Sequence, residues 1–117
     1  MGILDFLSRP QLPGFRFSPE VTAWAASHFP HSKRATAGLI AGILVEQVGD
    51  ADALSDLQPK SRFDGDINVF DWFDATDYAD AVEAEFRLSI PRADREQIHQ
   101  FGELVDYVHA KLQSRDA

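Results

Sequence analysis

The chain has no cysteine and one methionine in 117 residues. Disulfides, thiolate metal sites and cysteine nucleophiles are therefore excluded. It also lacks a long apolar run. The longest stretch, "ATAGLIAGILV" (Ala35 to Val45), falls well short of the roughly 20 residues that a membrane span needs. The opening "MGILDFLSRP" has no basic region followed by a long apolar core, so a secretory signal is not expected. Phe6 stands where a myristoylation motif wants Ser or Thr, which removes that anchor as well. A cytoplasmic protein is the expectation. No segment shows the sustained alternation of a strand, no internal repeat is present, and no tract is of low complexity. An all-α fold follows.

Acids are scarce in one part of the chain and crowded in the other. Residues 1–45 carry four bases and two acids, whereas residues 46–117 carry seven bases and seventeen acids. The net charge of −8 therefore sits in the C-terminal part. Such a body repels nucleic acid and anionic membranes and favours basic protein surfaces. Apolar residues make up 44% and charged residues 26%, so the chain can fold around one modest core.

Residues 1–17, with Pro10, Pro13 and Gly14, read as an irregular arm anchored by Phe15 and Phe17. A first helix begins at Pro19 with Ser18 as its cap, places Val21, Trp24, Ala25 and His28 on one face, and ends at Pro30. Ser32 then caps a second helix, with Ala37, Ile40, Ile43 or Leu44, and Val48 at helical spacing and Gly49 as its stop. Gly38 and Gly42, four apart, either allow close backbone approach or are merely tolerated. Residues 50–70 form a long polar connection. Connections beyond about 15 residues are uncommon in compact domains, so Leu54, Leu57 and Phe63 should pin this one to the core.

The third helix is "DWFDATDYADAVEAEF", Asp71 to Phe86, with six acids and no base before Arg87. Asp71 is its expected N-cap, Asp74 completes a capping-box-like pair, and Ala75, Ala79, Val82 and Phe86 form its buried stripe. Asp71, Asp74, Asp77, Asp80 and Glu83 recur every three residues and so spiral by about 60° per step. Like charges so close weaken a helix, and nothing within it offsets them. The run is either a solvated face or a docking surface. Trp72 either packs beside Phe70 or Phe73 or serves as an aromatic anchor for a partner. After "SIPRADREQIHQ", with one helical turn, a last helix runs from Phe101 to Leu112 and buries Phe101, Leu104, Val105, Val108 and Leu112.

The ordered set from Glu85 to Val108, "EFRLSIPRADREQIHQFGELVDYV", resembles the acyl carrier protein family. Its matching pieces are Glu85-Phe86, Ile90-Pro91, Ile98, Gly102 and Val105-Asp106-Tyr107. Upstream, "VEQVG" (Val45 to Gly49), Pro59 and Phe63 resemble the end of that family's first helix and its long first loop. The likeness spans about residues 33–112. It implies a four-helix bundle over residues 32–117, preceded by an added arm and helix over residues 1–31. It also implies that the third helix docks on basic patches of partner enzymes through Asp71, Trp72, Phe73, Asp74, Asp77, Asp80 and Glu83. Carrier proteins attach 4′-phosphopantetheine to a serine in Asp-Ser-Leu, and here that tripeptide falls on Asp71-Trp72-Phe73. Trp72 has no hydroxyl, and no serine lies between Arg62 and Arg87. Thr76, within the helix, is a poor substitute, since its oxygen bonds the preceding turn. The expectation is a monomeric, non-catalytic docking module without a cofactor that binds a basic partner, and neither nucleic acid nor membrane. The alternative is a genuine acyl or thioester carrier in fatty-acid, polyketide or related biosynthesis, bearing 4′-phosphopantetheine.

Other chemistry is weakly signalled. Asp64, Asp66 and Asn68 alternate like the first ligands of a calcium loop, but Val69 stands where the turn glycine belongs and Ala75 where the bidentate glutamate belongs. His28 and His31 straddle Pro30, and His99 and His109 have no nucleophile nearby in sequence. No metal or catalytic residue is expected.

Overall fold

The computed structural model describes residues 14–63 and 75–116, and the fold is all-α. No strand occurs among the described residues, where Arg62 and Gln100 form an isolated antiparallel bridge. None of the described helices is long and apolar enough to cross a membrane.

A 3-10 turn, Phe15–Phe17, leads into helix α1, Pro19–His28. Ser18 caps α1 as expected: its hydroxyl accepts the Val21 N–H at 3.3 Å, and proline fills the first helical position. Val21, Trp24 and Ala25 are buried. His28 departs from the expected face and is exposed, its ring tilted against Trp24 at 4.9 Å. Trp24 donates to the Leu57 carbonyl at 3.0 Å and meets Phe101 edge-on at 5.5 Å. One indole thus joins α1, the long connection and the last helix.

Ser32 does not cap the next helix. The Pro30 carbonyl accepts the Lys33 N–H at 2.9 Å, winding His31–Lys33 into a 3-10 turn that absorbs the serine. Helix α2 then spans Arg34–Val48 and stops at Gly49, whose φ of 76° is the left-handed conformation glycine tolerates. This helix is central. Ala37, Ile40, Ala41, Ile43, Leu44, Val45 and Val48 are all buried, so it is apolar almost all round.

The glycine pair provides close approach. A Cβ on Gly38 would lie 3.2 Å from Val21 Cγ1, so α1 rests on that position. A Cβ on Gly42 would lie 2.2 Å from the α-carbon of Arg16. The Phe15–Phe17 turn is therefore seated on bare helix backbone.

The long connection contains one helical turn, α3 (Ala53–Asp56). Leu54 and Leu57 are buried and Phe63 is partly buried, which pins it as expected. Its later part seals the start of the last helix: Pro59 accepts the Gly102 N–H, Ser61 accepts that of Phe101, and Phe63 donates to His99. Helix α4 is described over Ala75–Phe86, the single turn α5 over Arg92–Arg95, and α6 over Phe101–Asp116. The last helix runs past the expected end at Leu112. Glu103 accepts the N–H groups of His99 and Gln100, both at 2.8 Å, and so caps α6 by reaching back. Those two bonds hold its carboxyl below the ordinary range. Residues of α1, α2, α4 and α6 share one core around Ile40, Val45, Val82, Phe101, Val105 and Val108.

Candidate functional site

Helix α4 is fixed by Val82 and Phe86, as expected, with Tyr78 rather than Ala79 completing the buried stripe. Tyr78, Val82 and Phe86 are buried, spaced four apart, while Ala79 is half-buried and the Ala75 side chain lies outside the described residues. Tyr78 is 2% exposed, and its hydroxyl donates to the Ile40 carbonyl at 2.8 Å. Burial pushes that phenol well above its usual range, so it stays a neutral donor. The alanine spacing hid this, because an aromatic one position away fills the space between helices better. The Gln47 amide donates to the Asp77 carbonyl at 3.3 Å, a second tie from α2 to the same end of α4.

The acids of α4 divide into two sets. Asp77 and Asp80 are exposed. Glu83 and Glu85 are half-buried and engaged by partners outside the helix. The Glu83 carboxylate accepts the Ile90 N–H at 2.6 Å and pairs with Arg95 at 3.0 Å. The Ile90 bond, then Arg95, hold its carboxyl below the ordinary value although burial opposes them. Arg95 also reaches Asp80 at 3.0 Å. Glu85 pairs with Arg16. No group within α4 is among these partners; the guanidinium groups that offset its charges, Arg16 and Arg95, come from other parts of the chain. Of the remaining docking residues, Asp71, Trp72, Phe73 and Asp74 lie outside the described residues, as do Asp64, Asp66 and Asn68.

Arg16 is a residue that the sequence reading missed. Its backbone N–H and Nε both donate to Glu46 Oε2, at 2.9 and 3.0 Å, and Nη2 donates to Glu46 Oε1 at 2.7 Å. Nη1 reaches Glu85. Burial alone would raise the Glu46 carboxyl, but the bonds from Arg16 outweigh it and hold that group below the ordinary range. The bond to Glu46 in turn raises the guanidinium. The available signal was Gly42 followed four residues later by Glu46, a bare helix position one turn before an acid.

A pocket of about 160 Å³ opens between α4 and the start of α6, lined by Phe63, Tyr78, Ile90, Ile98 and Leu104, with Arg95 contributing a charge. Ile98 is only partly buried because one side of it faces this hollow. Its wall is apolar, so it suits a small apolar group. Beyond Ile98 is an acidic hollow whose charges are already bound. Asp94 accepts the Tyr107 hydroxyl at 2.5 Å, and Asp106 pairs with Lys33 at 2.7 Å. Burial, then the bond to Asp94, pushes the Tyr107 phenol up to about 12. Among the described residues, no group of three or more His, Asp or Glu is placed to hold a metal ion.

No protein-family model, no curated protein and no solved structure matches this chain.

Proposed function

We propose that the chain is an acyl-carrier-protein-like, non-catalytic docking module that offers the acidic side of α4 to a basic surface of a partner protein. The observation that carries this is the division of α4. Asp77 and Asp80 stand exposed on a helix whose opposite side, Tyr78, Val82 and Phe86, is locked into the core. Charges fixed on a rigid element steer an oppositely charged partner at little ordering cost.

The carrier-like bundle, formed by α2, α4, α5 and α6 with α1 added, is supported by contacts between positions of the resemblance that are remote in sequence. Gly102 donates to the Pro59 carbonyl at 2.6 Å, and a Cβ at 102 would lie 2.9 Å from that oxygen. Phe86, Ile90 and Val105 are buried in one cluster. With Trp72 at the attachment position, no hydroxyl is offered for a phosphodiester, so the module carries no 4′-phosphopantetheine. Co-expression with a broad-specificity phosphopantetheinyl transferase tests this. The intact mass should stay unchanged, and an adduct on any residue would make the protein a true carrier instead.

A further inference from the structure

We propose that the Phe15–Phe17 turn is a clasp that couples the N-terminal segment to the C-terminal end of α4 through Arg16. The clasp is internal to the chain and needs no partner.

Three features build it. The first is a seat: with no side chain at Gly42, the α-carbon of Arg16 occupies the space where a Cβ would stand. The second is a double hold. The guanidinium grips both oxygens of Glu46 on α2 and extends its remaining arm to Glu85 on α4, so one side chain bridges two helices. The third is the backbone on either side of the turn. Gly14 precedes it in the left-handed region, at φ 77°, with nothing within 4 Å of where its Cβ would be. Ser18 follows it in extended conformation. A few dihedral angles at these two residues lift the turn while α1 stays capped.

The hold combines packing with ion pairs, since the backbone of the turn lies against α2 at Gly42. Phe17 is 72% exposed and adds little burial, and Phe15 is only partly buried against the core. Lifting the turn therefore forfeits its seat on α2 together with the Arg16 bonds. The two ends of α4 are secured differently. Tyr78 and Gln47 tie its first half to α2. At its last turn, Glu85 is tied to α2 only by way of Arg16 and Glu46. Seating the turn tightens that end, and lifting it loosens that end while the core around Val82 stays packed. Local opening of this kind is read by amide exchange.

The test uses the full chain and compares three sets of amides. Residues 16–18 report the turn, Leu88, bonded to the Glu83 carbonyl, reports the end of α4, and Val105 and Val108 report α6. Arg16→Gln should speed exchange about tenfold in the first two sets, the effect expected from losing charge-assisted bonds to half-buried carboxylates. The α6 amides should keep their rate. Unchanged exchange at Leu88 would overturn the coupling. Equal acceleration everywhere would overturn it too, since Arg16 would then support only global stability. Should Arg16→Gln fail to fold, Glu85→Gln decides. It leaves the Glu46 bonds intact, so Leu88 should exchange faster while residues 16–18 stay protected. Loosening of both, or of neither, refutes the clasp.

Discussion

The α-carbon of Arg16 lies where a side chain on Gly42 would begin, 2.2 Å from the position of a Cβ built there. The Phe15–Phe17 turn is thus connected to the middle of α2 by the lack of a side chain. The two glycines of α2 are consequently not equivalent, and substitution separates them.

Gly42→Ala should destabilise the protein. Alanine favours a helix over glycine by about 1 kcal/mol, but here its methyl group meets backbone that must move, and overpacking costs about 1–3 kcal/mol. The net loss reads as a lower urea midpoint. Gly38→Ala meets Val21 Cγ1 at 3.2 Å and Ala25 Cβ at 3.7 Å, side-chain methyl groups rather than close backbone. That variant should be neutral or gain up to about 1 kcal/mol. If both variants unfold at the same urea concentration, the seat at Gly42 is not a constraint.

Phe86→Ala should cost about 3–5 kcal/mol, as for other buried aromatics. Tyr78→Phe keeps the ring and removes the bond to the Ile40 carbonyl, so it should cost about 1 kcal/mol. Chemical denaturation followed by circular dichroism measures both. A larger loss for Tyr78→Phe than for Phe86→Ala would mean that the buried bond, rather than packing, holds α4.

Acid should unfold the protein from a definable point. Glu46, Glu83 and Glu103 all have carboxyls held below the ordinary range in the folded chain. A depressed folded pKa means that the unfolded chain binds protons more readily. The stabilisation is therefore present above the unfolded value of about 4.3 and is lost as pH falls through the lower folded values. Urea midpoints should be flat above about pH 5.5 and fall below about pH 4.5. Glu46→Gln should make the acid limb shallower, and an unaltered slope would remove Glu46 from this account.

Docking predicts a kinetic division of labour. Reversing Asp77 and Asp80 to Lys should slow association with a basic partner and flatten its salt dependence, since exposed charges are screened over about 10 Å at 0.1 M salt. Trp72→Ala should instead speed dissociation, at a cost of about 2 kcal/mol for a buried anchor. Surface plasmon resonance separates the two rates. If neither changes, the acidic side of α4 is a solvated face.

Much of the helical order was legible because its signals are local. Ser18 before Pro19, Gly49 after a long apolar run and the four-residue spacings of α6 each act over one or two turns. What was not legible depends on distance. Arg16 sits 30 residues from Glu46 and 69 from Glu85, so no window over the sequence joins them. The acids of α4 looked uncompensated for the same reason. Tyr78 was passed over because alanines at 75 and 79 suggest the same periodicity one step away. Ser32 failed as a cap because a proline two residues earlier tightened the backbone first. Of the proposed docking residues, Asp77, Asp80 and Glu83 fall on α4, and Glu83, with Asp80 at its exposed side, pairs with Arg95 of α5.

Trp24 gives the molecule an optical label that needs no chemistry. It is one of two tryptophans, it is buried, and its indole N–H is bound to the Leu57 carbonyl while its edge faces Phe101. Replacing Trp72 with phenylalanine leaves Trp24 as the sole indole emitter, placed at the joint of α1, the long connection and α6. Its emission wavelength then follows whether water has reached that joint, and a red shift preceding the loss of helicity would show α1 peeling away before the remaining helices separate.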